Sequence, residues 1–249
     1  MTNPNYTHMA FLLDSSGSMQ SIKSDVEGGF DAFIAEQKTQ PGRCTVTLAD
    51  FSDYRGIRPG HQPAPGVRGV AMHTLPHGGG NLDYRVRYTG KDIHEVEPLV
   101  VSPRGGTALL DSIARLVQET GEYLSAMPQD QRPGLVIVGI MTDGLENASR
   151  EWTRDAIKAL IEQQESQYSW VFHYLGANQD AIEEGAKMGV RADSSLTYDA
   201  GNAVGAMATY GASVSTMRGA VAGGAGVEAA RSSAAYTDEQ RKAAGSKRG

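Results

Sequence analysis

The fold that we predict for this sequence depends on one stretch, His8-Met9-Ala10-Phe11-Leu12-Leu13-Asp14-Ser15-Ser16-Gly17-Ser18. From Met9 to Leu13 it is apolar at successive positions, which is typical of a central parallel strand covered on both faces. An acid and a run of turn-forming residues then end the apolar run abruptly. We therefore expect a buried parallel strand that ends in a polar turn.

Buried strands alternate with amphipathic helices through most of the sequence. A second continuous apolar run, Gly134 to Met141, also ends in an acid and a turn residue, Thr142-Asp143-Gly144. Helical spacing of apolar residues follows each of these strands, and Ser149 is a plausible N-cap for the helix after the second. Tyr84 to Tyr88 alternates and predicts a half-exposed edge strand. The pattern predicts an α/β fold, doubly wound, with a mostly parallel sheet and helices on both faces.

The chain of 249 residues suits one such domain, which we place at about residues 1 to 218. Within it, residues 53 to 82 contain four prolines and seven glycines without periodicity, so we predict a long loop insertion there. A strand predicted from Cys44 to Phe51 precedes this loop, and the loop should leave that strand at the same edge of the sheet as the polar turns. Residues 219 to 249 are rich in Ala, Gly and Ser, and we expect this tail to be disordered.

Composition and charge narrow the classes of partner. The net charge of −6 argues against a nucleic-acid binder, so a protein partner is favoured. The apolar run Met9 to Leu13 is too short for a signal peptide or a membrane span, and we expect no membrane contact. We expect the single cysteine, Cys44, to be a small buried hydrophobic residue and not half of a disulfide. We expect a cytoplasmic protein.

Asp14, Ser16 and Ser18 bring one carboxylate and two hydroxyls together in the turn after the first strand. These are hard oxygen donors, suited to Mg²⁺, Mn²⁺ or Ca²⁺ and unsuited to zinc. Alternate residues of an extended turn point the same way, so Ser16 and Ser18 can face one ion while Ser15 faces elsewhere. The alternative is a simple helix N-cap, because Ser and Asp satisfy the free N–H groups of a first turn.

Thr107 and Asp143 extend this cluster. Asp143 ends the second buried strand, and Thr107 opens a helix after Pro103-Arg104-Gly105-Gly106. Ligands of open α/β sheets bind outside the carboxyl ends of the strands, where both acids should lie. We expect four further acids to have lesser roles. Asp50 and Asp53 are either supports of the site or ordinary turn residues. Asp111 should be a solvated helix position, and Glu146 a loop charge. Zinc binding by His73 and His77 is disfavoured by the intervening Pro76, and His173 reads as a packed strand residue.

Three segments, Asp14 to Ser18, Pro103 to Asp111 and Met141 to Gly144, resemble the metal-ion-dependent adhesion site of von Willebrand factor A domains. The resemblance covers about residues 6 to 218. It implies a doubly wound fold with one antiparallel edge strand, a Mg²⁺ site and protein binding. The ligand positions of the family are filled by Asp14, Ser16, Ser18, Thr107 and Asp143. The long loop and the Ala/Gly-rich tail depart from the family pattern, so partner specificity is not carried over.

These observations favour a Mg²⁺-dependent protein-interaction module, not an enzyme, that binds an Asp or Glu of a partner protein through the cation. Two alternatives stay open. One is a structural or assembly protein, such as a phage component or an adaptor of an AAA+ ATPase, in which the metal serves stability. The other is a Mg²⁺-dependent phosphohydrolase using Asp14. It is disfavoured because Ser16 stands where such enzymes carry a second acid and the turn has no basic residue.

Overall fold

The structure is a computed structural model that describes residues 2–53 and 82–245. Its strands are β1 (Asn3–Asp14), β2 (Arg43–Asp53), β3 (Leu82–Asp92), β4 (Pro133–Thr142), β5 (Val171–Ala177) and β6 (Ser195–Tyr198). Its α-helices are α1 (Lys23–Lys38), α2 (Leu109–Ser125), α3 (Arg154–Tyr168), α4 (Ala181–Lys187), α5 (Ala203–Ala222), α6 (Val227–Ser233) and α7 (Asp238–Ala244). Short 3-10 helices, among them Gly17–Ser21, lie between several of these elements. Within the described residues, no helix is both long and apolar enough to cross a membrane.

The strands form one sheet in the order β3-β2-β1-β4-β5-β6. All neighbouring pairs are parallel except β2 and β3, so β3 is an antiparallel edge strand. The register aligns Leu13 with Asp50 on β2 and with Met141 on β4. The predicted doubly wound fold and its antiparallel edge strand are thus confirmed, and the ends of β1, β2 and β4 meet at one edge.

Helices cover both faces of the sheet, which explains the continuous apolar run in β1. Met9, Phe11 and Leu13 belong to the core shared with α1 and α5. Ala10 and Leu12 belong to the opposite core, shared with α2 and α3. A strand with helices on both faces buries side chains of either parity, so β1 shows no polar alternation. Cys44 is buried in β2 as predicted.

One predicted helix start is wrong. The N-cap of α3 is Thr153, whose hydroxyl accepts the N–H of Ala156 at 3.3 Å, and not Ser149. The Ser149 hydroxyl instead donates to the Glu146 carboxylate at 2.7 Å and accepts the N–H of Asp111 at 3.1 Å. This hydroxyl joins the loop after β4 to the first turn of α2 and is not available to cap a helix.

The predicted loop between β2 and β3 lies outside the described residues, together with His73 and His77. Its position at the carboxyl edge therefore stays a prediction. Its two flanking residues are described: Asp53 pairs with Leu82 at the carboxyl end of β2.

The expectation of disorder beyond Arg218 is wrong for residues 219–245. Helix α5 continues to Ala222, and α6 and α7 pack against the core that already contains α1 and α5. Ala230 is fully buried, and Tyr236 is only 6% exposed. Residues 219–245 contain few large apolar side chains, but their alanine-rich helices bury surface by close approach. A capping box formed by Thr237 and Gln240 also fixes the start of α7.

Polar contacts hold this C-terminal segment against the sheet. The Tyr236 hydroxyl lies 2.8 Å from Nδ1 of His173, and burial lowers the pKa of His173 to about 3, which leaves the imidazole neutral. Arg231 forms a 2.8 Å ion pair with Glu165 on α3. The guanidinium of Arg241 donates to the carbonyl oxygens of Ala192 and Ser195, the latter at the start of β6. His173 is a packed strand residue, as predicted.

We expect Tyr236→Ala to destabilise the protein by about 3–5 kcal/mol, because it removes a buried aromatic ring together with the partner of His173. Urea denaturation followed by circular dichroism measures this change. The exposed Glu239→Ala on the same segment is the control and should shift stability by less than about 0.5 kcal/mol. Equal unfolding midpoints for Tyr236→Ala and the wild type would show that the segment adds nothing to the fold.

Candidate metal centre

Asp14 ends the central strand and is fully buried. One carboxylate oxygen accepts the N–H of Ser16 at 2.6 Å, and the other accepts the Thr142 hydroxyl at 2.6 Å. The first bond shapes the turn that follows β1. The second joins β1 to the end of β4, so the acid ties together the two strands that carry most of the candidate site.

Ser16, Ser18 and Asp143 lie within hydrogen-bonding reach of one another. The hydroxyls of Ser16 and Ser18 are 3.0 Å apart, and the Ser18 hydroxyl donates to Oδ1 of Asp143 at 2.8 Å. The Ser16 hydroxyl lies 3.5 Å from the same oxygen. Ser16 is buried, whereas Ser18 is exposed and Asp143 is half-buried. The cluster therefore opens to solvent on the side of Ser18 and Asp143.

Thr107 lies in the loop before α2, next to the cluster of Ser16, Ser18 and Asp143. A Cβ atom added to Gly144 would lie 3.2 Å from the Thr107 hydroxyl oxygen and 4.0 Å from that of Ser18. Glycine at position 144 thus leaves room between these two hydroxyls. The structure brings together all five residues named from the sequence.

The two acids lie where a negative charge is costly. The pKa of Asp14 is raised to about 6, mainly by burial and to a smaller extent by the charge of Asp143, although hydrogen bonds from Thr142 and Ser16 act to lower it. Burial also raises the pKa of Asp143 above its ordinary value. A cation among these groups would favour the charged form of both carboxylates.

The chemistry of the donors fits a hard divalent cation. Two carboxylates and three hydroxyls converge, all oxygen donors of the kind that Mg²⁺ and Ca²⁺ take. Within residues 2–53 and 82–245, no group of three or more His, Cys, Asp or Glu is placed to hold a metal. A site here would therefore depend on its hydroxyls.

The backbone around Thr107 is fixed by residues on two other loops. Asp53 accepts the N–H of Gly106 at 2.6 Å and returns its own N–H to the Gly106 carbonyl at 3.1 Å. Asn147 does the same for Thr107, with both bonds at 3.1 Å. Asp53 therefore supports the site by holding a neighbouring backbone, which was one of its two predicted roles.

Asp111 was expected at a solvated helix position, and that expectation is wrong. Glu146 lies in the loop after β4, as expected, but its carboxylate is bound to backbone N–H groups. Asp111 is buried and accepts the N–H groups of residues 150, 151 and 152 at 2.8–3.1 Å. Glu146 accepts the N–H groups of Leu110, Ala148 and Ser149 at 2.7–3.0 Å. Together they join the first turn of α2 to the loop after β4. The sequence held one signal for Asp111, which lies inside the apolar run Ala108 to Ile113.

A cluster of ion pairs connects β2, β3 and the loop before α2. Arg104 bridges Asp50 and Asp83, and its backbone N–H donates to the Ser15 carbonyl at 2.7 Å. Arg87 also pairs with Asp50, and Arg85 pairs with Asp83 at 2.8 Å. Burial opposes ionisation of Asp83, but the two arginines hold its pKa below the ordinary value. Asp50 is therefore part of this charge cluster and does not face the candidate metal centre.

No protein-family model and no curated protein matches the sequence. Solved structures do match. Proximal thread matrix protein 1 from the mussel byssus superposes with a TM-score of 0.52 at 13% identity, over 83% of this chain and 45% of that one. The pilus adhesin SpaC from Lactobacillus rhamnosus GG gives a TM-score of 0.51 at 12% identity, over 84% of this chain and 30% of that one.

A von Willebrand factor type A structure from Catenulispora acidiphila gives a TM-score of 0.47 at 15% identity, over 85% of this chain and 43% of that one. Another structure of the mussel protein has a zinc-occupied MIDAS motif and gives a TM-score of 0.47 at 14% identity, over 77% of this chain and 41% of that one. The chain spans less than half the length of each of these structures. At these identities the likeness concerns the fold alone.

Mg²⁺ should stabilise this protein more at pH 7.5 than at pH 5. In the metal-free protein, the stability that Asp14 contributes is full below its ordinary pKa and is lost as the pH rises through about 6. An ion must displace the proton, so its affinity should fall about tenfold for each pH unit below that value. Melting temperatures with and without Mg²⁺ at both pH values measure this. An equal Mg²⁺-induced rise in melting temperature at the two pH values would contradict the prediction. In the Asp14→Asn variant, Mg²⁺ should leave the melting temperature unchanged at both pH values.

Gly105→Ala should destabilise the protein by about 1–3 kcal/mol and weaken Mg²⁺ binding. The backbone of Gly105 has φ +57, and an added Cβ would lie 1.8 Å from the Asp53 carbonyl oxygen, so the Thr107 loop must shift. Gly121→Ala in α2 is the matched control, since nothing lies within 4 Å of its added Cβ. It should stabilise the helix by about 0.5–1 kcal/mol. Chemical denaturation and Mg²⁺ calorimetry test both, and unchanged values for Gly105→Ala would contradict the prediction.

Proposed function

Since the chain has the fold of von Willebrand factor A domains, we propose that it is a metal-dependent protein-binding module. One observation carries the proposal. Three hydroxyls and two acids with raised pKa values converge at the open carboxyl edge of the sheet. That edge is where open α/β sheets bind their ligands.

Ser16, Ser18 and Thr107 would hold the ion through their hydroxyls, with Asp14 and Asp143 supplying the negative charge. Mg²⁺ is the ion we propose, with Mn²⁺ or Ca²⁺ as substitutes, because all donors are hard oxygens. The bound ion would offer an electrophilic position to an oxygen donor from another molecule. The exposed side of the cluster, at Ser18 and Asp143, is where such a donor can enter.

We propose that the donor is an Asp or Glu of a partner protein. Hydroxyls bring no formal charge, so at most two protein carboxylates offset the double charge of the ion. Attraction to the ion then offsets part of the cost of removing water from the incoming acid. An adhesin is among the structures that share this fold, which supports a role in protein contact.

A binding role is favoured over phosphoryl chemistry. Among the described residues, neither Asp14 nor Asp143 forms an ion pair with Lys or Arg, although phosphate transfer calls for such a cation. The guanidinium of Arg104 is committed to Asp50 and Asp83. No second acid stands at Ser16. We therefore propose that the protein is not an enzyme.

Partner capture should require Mg²⁺, and Thr107→Ala should weaken it by about tenfold or more while altering the melting temperature little. The measurement is affinity capture from host lysate in Mg²⁺ and in EDTA, followed by calorimetry with the captured partner. Calorimetry with Mg²⁺, Mn²⁺, Ca²⁺ and Zn²⁺ ranks the ions. The exposed Thr216→Ala on α5 is the control and should bind as the wild type does.

Changing the partner's acid to its amide should lower affinity as far as EDTA does. If affinity is the same in Mg²⁺, in EDTA and with the amide, the metal is structural. The assembly hypothesis then replaces this one.

A further inference from the structure

Leu145 is an apolar side chain exposed beside the candidate metal centre. It is 53% exposed, one of four large apolar side chains that the described residues leave in solvent. It follows Asp143 by two positions, so their Cα atoms lie within about 7 Å. A single exposed leucine is ordinary on a protein surface, and its position and support are what distinguish this one.

The turn that carries Leu145 is held on both sides. The N–H of Gly144 donates to the Thr142 hydroxyl at 3.2 Å, and that hydroxyl is itself held by the buried Asp14 carboxylate. The carbonyl oxygen of Gly144 lies 3.0 Å from the same hydroxyl. Gln179 reaches the same carbonyl at 3.5 Å. On the other side, the Glu146 carboxylate binds three backbone N–H groups. Leu145 is thus presented from a fixed backbone, which lowers the entropic cost of using it as a contact.

A second exposed apolar residue lies at the same edge of the sheet. Ile182 is 39% exposed in the first turn of α4, which begins at the carboxyl end of β5. Gln179, three residues before it, is the residue that contacts Gly144. Two of the four exposed large apolar side chains therefore flank one side of the cluster of hydroxyls and acids.

From this arrangement we propose that Leu145 is a specificity determinant of the binding site. The occupant is a partner segment that carries an apolar residue next to its metal-seeking Asp or Glu. Charge complementarity would orient that segment, because its acid would point to the cation that Asp14, Ser16, Ser18, Thr107 and Asp143 would hold. A neighbouring apolar side chain then covers Leu145. This inference rests on the proposed function and adds the chemistry of the partner.

The test is a display library of short peptides with one fixed Asp and random flanking positions. The library is selected on the full-length chain in Mg²⁺ and eluted with EDTA. The wild type should enrich Leu, Ile, Met or Phe at a fixed spacing from the Asp. Leu145→Ser should lose that preference and bind the selected peptides about fivefold or more weakly, with unchanged Mg²⁺ affinity.

Tyr168→Ser is the matched control. Tyr168 is 60% exposed but ends α3, near the start of β5 and so at the opposite edge of the sheet. It should select and bind the same peptides as the wild type. Enrichment of Asp peptides without an apolar preference, or with the same preference in Leu145→Ser, would overturn the inference and leave the proposed function standing. Selection that needs neither Mg²⁺ nor the fixed Asp would overturn both.

Discussion

The carboxylate of Asp14 is buried at the end of the central strand, where water cannot solvate its charge. Its oxygens receive one backbone N–H and one hydroxyl, which compensate only part of that loss, and its pKa stays raised. The strand therefore keeps an unfavourable charge at the point where the surrounding loops meet, and a bound cation would relieve that cost.

The surrounding loops are arranged by other carboxylates that bind backbone N–H groups and not cations. Asp53 joins the end of β2 to the loop before α2 in this way, and Asp111 and Glu146 join the first turn of α2 to the loop after β4. Such bonds fix the path of the chain without placing a basic side chain near the centre. The arginines lie to one side, in pairs with Asp50 and Asp83. As a result the edge of the sheet is rigid and still able to attract a positive ion.

The strands and turns that follow from local residue patterns could be predicted from the sequence. The sequence predicted β1, the turn that follows it, and β4, which ends just before Asp143. Parallel pairing then required the carboxyl ends of these strands to meet. The roles of Asp111 and Glu146 could not be read, because each depends on which loops lie side by side after folding. The same holds for Ser149, whose hydroxyl serves Glu146 instead of a helix. The order of the C-terminal segment could not be predicted for a different reason: composition gives the amount of apolar surface but not how closely small residues such as Ala230 pack.

The docked C-terminal segment also bears on how the sheet ends. An uncovered edge strand offers unpaired N–H and C=O groups on which another chain can add a strand, a common route to aggregation. At β6, Arg241 already occupies the carbonyl of Ser195, and the N–H of Asp199 just beyond the strand donates to Ala244. The opposite edge, β3, carries Arg85, Arg87 and Lys91, charges that discourage strand pairing. Addition of a strand at β6 would have to displace α7, and addition at β3 would have to bury those charges, so both edges of the sheet are protected against pairing with another chain.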